Sequence, residues 1–117
     1  MANAFKLKTF DGSSTAANTD MTIYTGQAST ETTIIGMSIA NIESSQITVS
    51  VKLESNTVDV ETNSNVFLIK DAPIPAGGTL VPIGGDQKVV LQATDVLKVV
   101  SDTANSADTT VSILEIT

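Results

Sequence analysis

The side chains able to do acid–base or metal chemistry in this chain are nearly all carboxylates: thirteen Asp and Glu stand against six cations, with no His and no Cys. Every cation is a Lys, since the chain has no Arg, and Trp is absent as well. Two carboxyls can hydrolyse a glycosidic bond when they flank a cleft about 5–9.5 Å apart and one of them is desolvated. Asp59 and Glu61 share a strand face, but no aromatic platform for a sugar ring lies near them, so they read as a solvated pair. A Ser or Thr nucleophile has no imidazole to activate it, and Lys70 beside Asp71 reads as an exposed strand-end pair rather than half of a Ser/Lys dyad.

Calcium is the one metal whose oxygen ligands are plentiful. Asp11, Asp20, Asp102 and Asp108 fall in loop segments where a hard cation would take oxygens at about 2.3–2.6 Å. Their spacing does not match the Asp-x-Asp-x-Asp-Gly loop, and loop Asp is ordinarily turn chemistry, so ion binding is the minor reading. Gly77-Gly78 and Gly84-Gly85 neither open a helix nor end in Gly-Lys-Ser/Thr, which removes a phosphate cradle and leaves hairpin punctuation. The expectation is a protein with no catalytic residue, no metal ligand and no cofactor.

Composition narrows the function classes further. A net charge of −7 and a pI near 4.2 have the wrong sign for phosphate neutralisation, so nucleic acid is not an expected partner. No apolar window approaches the eighteen residues of a membrane span, and Met1 to Lys6 lacks the basic and apolar regions of a secretory signal, so no membrane is expected and synthesis in a cytoplasm is. Without Cys there is neither a disulfide nor a thiolate–metal framework. Aromatics make up only 3%, namely Phe5, Phe10, Tyr24 and Phe67, which predicts a thin aliphatic core and leaves burial between subunits a role to play.

The elements that must carry these residues are strands. Period-two alternation is clearest from Gln46 to Leu53, where Ile47, Val49, Val51 and Leu53 alternate with polar neighbours. Similar segments run from Phe5 to Phe10, Met21 to Tyr24, Glu31 to Ile42, Asn65 to Lys70, Thr79 to Ile83, Lys88 to Gln92, Val96 to Ser101 and Thr110 to Ile116. The last has apolar residues in both phases, which predicts cover on both sides. Clusters such as Asp11-Gly12, Ser55-Asn56, Gly84-Gly85-Asp86 and Asp102 to Asp108 supply the turns. Strands at this spacing, with no apolar stripe of helical period, predict one all-β domain over residues 1–117: an antiparallel sandwich of eight or nine strands, jelly-roll-like or immunoglobulin-like. Residues 1–20 read as an N-terminal arm and a long loop of the functional or mobile kind. Lys6 and Lys8 read as guards of an edge strand. Alternatively, Phe5, Leu7 and Phe10 dock the arm on another subunit. Two prolines make Lys70 to Gly78 a stiff polyproline-like crossover between sheets, or a contact surface presenting Ile74 and Pro75.

The run Val66 to Asp95, VFLIKDAPIPAGGTLVPIGGDQKVVLQATD, with the following VLKVVS and the terminal TTVSILEIT, resembles small virion structural proteins of tailed bacteriophages. In these an IPAG connector, a GGDQK turn and a GD-hydrophobic-K-V hairpin recur in a β-sandwich. The resemblance covers the C-terminal half and departs from the pattern at Thr94, where Gly is usual before the Asp. It implies a capsid decoration or cement protein, or a neck or tail component, found in the virion after synthesis in the host bacterium. Its partners would be the major capsid protein or neck and tail subunits, in a homo-oligomer such as a trimer. Candidate partner-contact residues are Phe5, Phe10, Ile74, Leu80 and Ile83. A competing reading is a carbohydrate- or calcium-binding sandwich; the Gly-rich hairpins and Asp95 to Val99 look faintly like a cupin domain without its metal-binding histidines.

Overall fold

The computed structural model describes residues 2–58 and 60–117. Its strands are β1 (Asn3–Phe10), β2 (Met21–Thr25), β3 (Glu31–Asn41), β4 (Ile47–Glu54), β5 (Val66–Ile74), β6 (Thr79–Ile83), β7 (Val89–Leu91), β8 (Val96–Ser101) and β9 (Ala107–Ile116). The segments read from alternation match these within a few residues. β9 shows why: Val111, Ile113 and Glu115 are buried while Thr110 and Ser112 are exposed, so one phase of the alternation faces the interior and the other does not. The expectation of cover on both sides fails here, because Leu114 and Ile116 lie half-exposed on the outer face.

All pairings are antiparallel, in two sheets. The first has the order β1-β9-β3-β6, with β7 also paired to β3; the second has the order β2-β8-β4-β5. β6 lies along Met37 to Ala40 and β7 along Thr32 to Ile34, so together they act as one interrupted strand beside β3. The chain thus folds back at the loop between β4 and β5, and each outgoing strand meets a returning one: β4 with β5, β3 with β6 and β7, β2 with β8, β1 with β9. That is a jelly roll. An immunoglobulin order would place the first two strands in one sheet, and here they lie in opposite sheets.

The interior is aliphatic. Ile34, Ile39, Val51, Leu97, Val99 and Ile113 are fully buried between the sheets, each contributing roughly 1.5–3 kcal/mol of transfer free energy. A register shift between Ile34 and Gly36 changes the phase of β3, so Thr32 and Ile34 point inward before it and Met37 and Ile39 after it. This accounts for the adjacent Ile34-Ile35 pair in an otherwise alternating strand.

β5 continues through Pro73 to Ile74, four residues beyond the end expected from the sequence, and the crossover is confined to the turn in which the Gly78 amide donates to the Pro75 carbonyl. Pro73 is tolerated because β5 is the edge of its sheet. Asn41 fixes the far side of this crossover: its amide nitrogen donates to the carbonyls of Ser45, Ile74 and Pro75 at 2.8, 3.0 and 3.2 Å.

The long segment after β1 is bound to the body. It contains a single 3-10 turn, Gly12–Ser14. The Gly12 amide donates to Asp108, the Asn18 amide to the Ser101 carbonyl and the Asn105 amide to the Thr15 carbonyl. Gly12 has to be glycine, because a Cβ there would collide with the Ala107 carbonyl oxygen.

Candidate interaction surface

Pairing between strands assigns each β1 side chain to a face. Lys6 and Lys8 stand opposite Ile113 and Val111, both fully buried, so they point to the inner side; Phe5 and Leu7 stand opposite Leu114 and Ser112 and point out. Phe10 has the inward phase and packs against the core. The three apolar residues grouped as one docking arm therefore divide between two faces, and the arm itself is paired with β9 of its own chain along its whole length.

On the outer face of the first sheet, one register row runs Phe5, Leu114, Thr33, Val90 across β1, β9, β3 and β7. Phe5 is 77% exposed, Leu7 64%, Val81 62% and Val90 57%, and all four belong to this face. Among the outward residues of its strands only Glu31 and Asp108 are charged, and they stand near opposite ends of β3 and β9. Between the apolar edges lie small residues, with Gly36 opposite Ser112 and Ser38 opposite Thr110. Single exposed apolar residues are ordinary, but here four of them share one sparsely charged face.

The outer face of the second sheet differs. Asp20 receives Lys52 at 2.8 Å and Lys98 at 3.7 Å, and Lys98 reaches Glu54 at 2.7 Å. The Lys52 hydrogen bond holds the Asp20 carboxyl below its usual range, and the hydrogen bond to Glu54 pushes the Lys98 ammonium up. Phe67 is the one large ring on this side, with the Lys70 and Lys52 ammonium groups 5.3 and 6.0 Å from its centroid.

Of the other contact candidates, Ile74 and Ile83 are 1% and 0% exposed, and Leu80 is half-buried against the core. Ile74 and Ile83 are corrections: they face the interior opposite Ile47 and Met37, so neither is presented to a partner. Val81 and Val90, which lay unremarked inside β6 and β7, are the exposed residues of that region. A signal for them existed in the alternation, but its phase could be set only by pairing with β3.

The carboxylates serve turns and ion pairs. Asp11 accepts from the Ser13 amide, which lowers its pKa, and Asp102 is lowered in the same way by the Thr48 amide. Glu115 is buried at the inner rim, where it accepts from Lys6 at 2.7 Å and from the Tyr24 hydroxyl at 2.6 Å. The Lys6 bond, followed by that of Tyr24, holds the Glu115 carboxyl below its ordinary range, while burial and then Glu115 push the Tyr24 phenol up. Asp95 is buried, takes the Ser55 hydroxyl at 2.5 Å and the Gln92 amide at 3.0 Å, and so ties the loop after β4 to the turn before β8. Glu61 is exposed, and Asp59, its proposed companion, lies outside the described residues. Among the described residues no three acids converge as metal ligands would.

Shallow clefts of about 260 and 310 Å³ flank the loop after β4, lined by Ser55, Asn63, Asn65, Thr94 and Asp95 among others. They sit at the small end of the range for ligand sites, and no aromatic ring lines either. Thr94 there has φ +71°, a left-handed conformation that a β-branched residue rarely adopts. This is the position where Gly was expected from the resemblance.

Comparison of the chain with protein-family models, with characterised proteins and with solved structures finds no match.

Proposed function

We propose that the chain is a non-enzymatic structural subunit that acts by surface contact, and that its setting is the virion of a tailed bacteriophage, foremost as a capsid decoration or cement protein. The observation that carries the structural role is the uncharged row Phe5, Leu114, Thr33, Val90, with exposed apolar residues at both ends, on a two-sheet body. Jelly rolls serve as viral capsid and lectin domains, which agrees with this reading, although fold never fixes function by itself. The virion setting rests on the sequence between Val66 and Asp95 and on the terminal strand. A neck or tail position is the second setting, and it uses the same face.

The test is made on purified particles of the virus whose genome encodes the chain. Mass spectrometry should find the chain in stoichiometric amount in particles banded by density, and removing its coding sequence should yield particles that release their genome at lower temperature. Particles that lack the chain would refute the virion setting. Melting raised by calcium or by a glycan would support a binding module instead.

A further inference from the structure

We propose that the larger cleft beside the loop after β4 takes a lysine side chain presented by a partner protein, with Asp95 receiving its ammonium group. This names a partner chemistry for the surface-contact reading and rests on that reading, but it does not require a virion.

The cleft opens where the two sheets part at their edges. Leu53 and Val66, paired across β4 and β5, come from the second sheet, and Val90 and Leu91 on β7 come from the first. Its volume of about 310 Å³ is small for a drug-sized ligand but enough for one long side chain. Leu91 is buried and Leu53 half-buried, while Val66 and Val90 are 52% and 57% exposed. Apolar walls of this kind have no use for a bare metal ion, whereas they suit the methylene stem of an amphipathic side chain.

The polar end of the cleft is a buried charge. Asp95 lines it at 4% exposure, and among the described residues no Lys pairs with this carboxylate. Glu54, the other carboxylate of the lining, is already held by Lys98 at 2.7 Å. Hydroxyl and amide donors satisfy Asp95 without neutralising it, and a buried charge without a counterion is costly. Its neighbour Thr94 is held at φ +71°, so the turn that carries Asp95 is strained as well. A cation entering the cleft offsets the unpaired charge.

The acceptor pattern selects an ammonium over a guanidinium group. Asp95 Oδ1 is taken by the Ser55 and Thr57 hydroxyls at 2.5 and 3.3 Å, whereas Oδ2 accepts the Gln92 amide at 3.0 Å and keeps a second lone pair. An arginine fork needs both oxygens, and a lysine point charge needs one. Asn63 donates its side-chain nitrogen to Ser55 and Thr57 at 3.2 and 2.9 Å, which leaves its amide oxygen as a further acceptor on the wall of the cleft.

Titration of the full chain with N-acetyl-lysine methylamide, followed by NMR, tests this directly. The amides of Ser55, Val66, Leu91 and Asp95 should shift together and saturate at millimolar probe. N-acetyl-norleucine methylamide, which keeps the stem and lacks the ammonium group, should bind about tenfold more weakly. Asp95→Asn, which keeps an oxygen acceptor for the turn, should abolish the shifts while thermal unfolding stays cooperative. Val66→Ser leaves that turn untouched and should weaken binding about threefold. Val81→Ser, on the outer face of the first sheet, should change nothing. Shifts that never saturate would overturn the proposal, as would norleucine binding equally well, the arginine analogue binding more tightly, or Asp95→Asn binding unchanged. Calcium moving the same amides at lower concentration would make this a metal site, and n-butylammonium binding more tightly than the blocked lysine would make it a site for a small free amine; either result overturns the assignment. None of these results bears on whether the chain is found in purified particles, so the two readings fail separately.

Discussion

The two outer faces of this sandwich arise from the same alternation and carry opposite chemistry. Behind the first sheet's shared core residues stand Phe5, Leu7, Val81 and Val90, exposed and uncharged. Behind the second stand Asp20, Lys52, Glu54 and Lys98, joined by ion pairs of 2.7 to 3.7 Å. The second face is satisfied within its own chain and holds its charges against one another. Among the described residues, no ion pair of that kind joins the outward side chains of the first. A sandwich of this size can be stable with either kind of face, because its stability comes from the layer between the sheets. The difference between the faces is therefore free to serve association.

The largest loss comes from the interior that both faces share. Ile113→Ala removes a fully buried side chain beneath the apolar face and should cost about 2–5 kcal/mol, read as a fall in the urea midpoint. If it cost no more than a surface change, the core would not be what holds both faces.

Lys6→Met should cost about 1 kcal/mol near neutral pH, a figure reduced because Lys6 is half-exposed. It leaves Glu115 with Tyr24 alone. The Glu115 carboxyl is lowered in the folded protein, so its stabilisation is present above the unfolded value near 4.5 and is lost as pH falls through the folded value. The gap between wild type and Lys6→Met should thus close on acidification below about pH 4.5. A gap independent of pH would show that the pair does not act through ionised Glu115.

Thr94→Gly should raise stability by about 1 kcal/mol, since φ +71° is free for glycine and strained for a β-branched residue. A loss of stability instead would show that Thr94 gains something in this turn that outweighs its backbone strain. Lys52→Met, on the charged face, should change stability least, by about 0.5 kcal/mol, with a difference that shrinks in high salt. A larger loss there would mean that the ion pairs, and not the interior, hold the second sheet.

Much of the fold was legible because strand alternation is a local property. Val111, Ile113 and Glu115 announce an inward phase without reference to anything distant, and the turns are marked by Gly, Asn and Asp. The site was less legible. Phe5 and Leu7 look like core residues and Lys6 like a surface one, yet the register with β9 puts Lys6 inside against Glu115 and the apolar pair outside. Ile74 and Ile83, beside prolines that suggest a connector, turned out to be buried because β5 and β6 extend through or up against those prolines as edge strands.

Local pattern alone dictates short antiparallel strands around an aliphatic interior, and composition alone leaves the chain no imidazole, thiol or guanidinium to do chemistry with. Period and turn propensity are properties of neighbouring residues, and a few residues suffice to express them. Long-range pairing sets which phase of each strand faces inward, joins the first strand of the roll to the last, and leaves one outer face charged and the other largely uncharged. The facing of the side chains depends on hydrogen-bond register, as between β1 and β9, where a shift of one residue would turn each side chain to the opposite face.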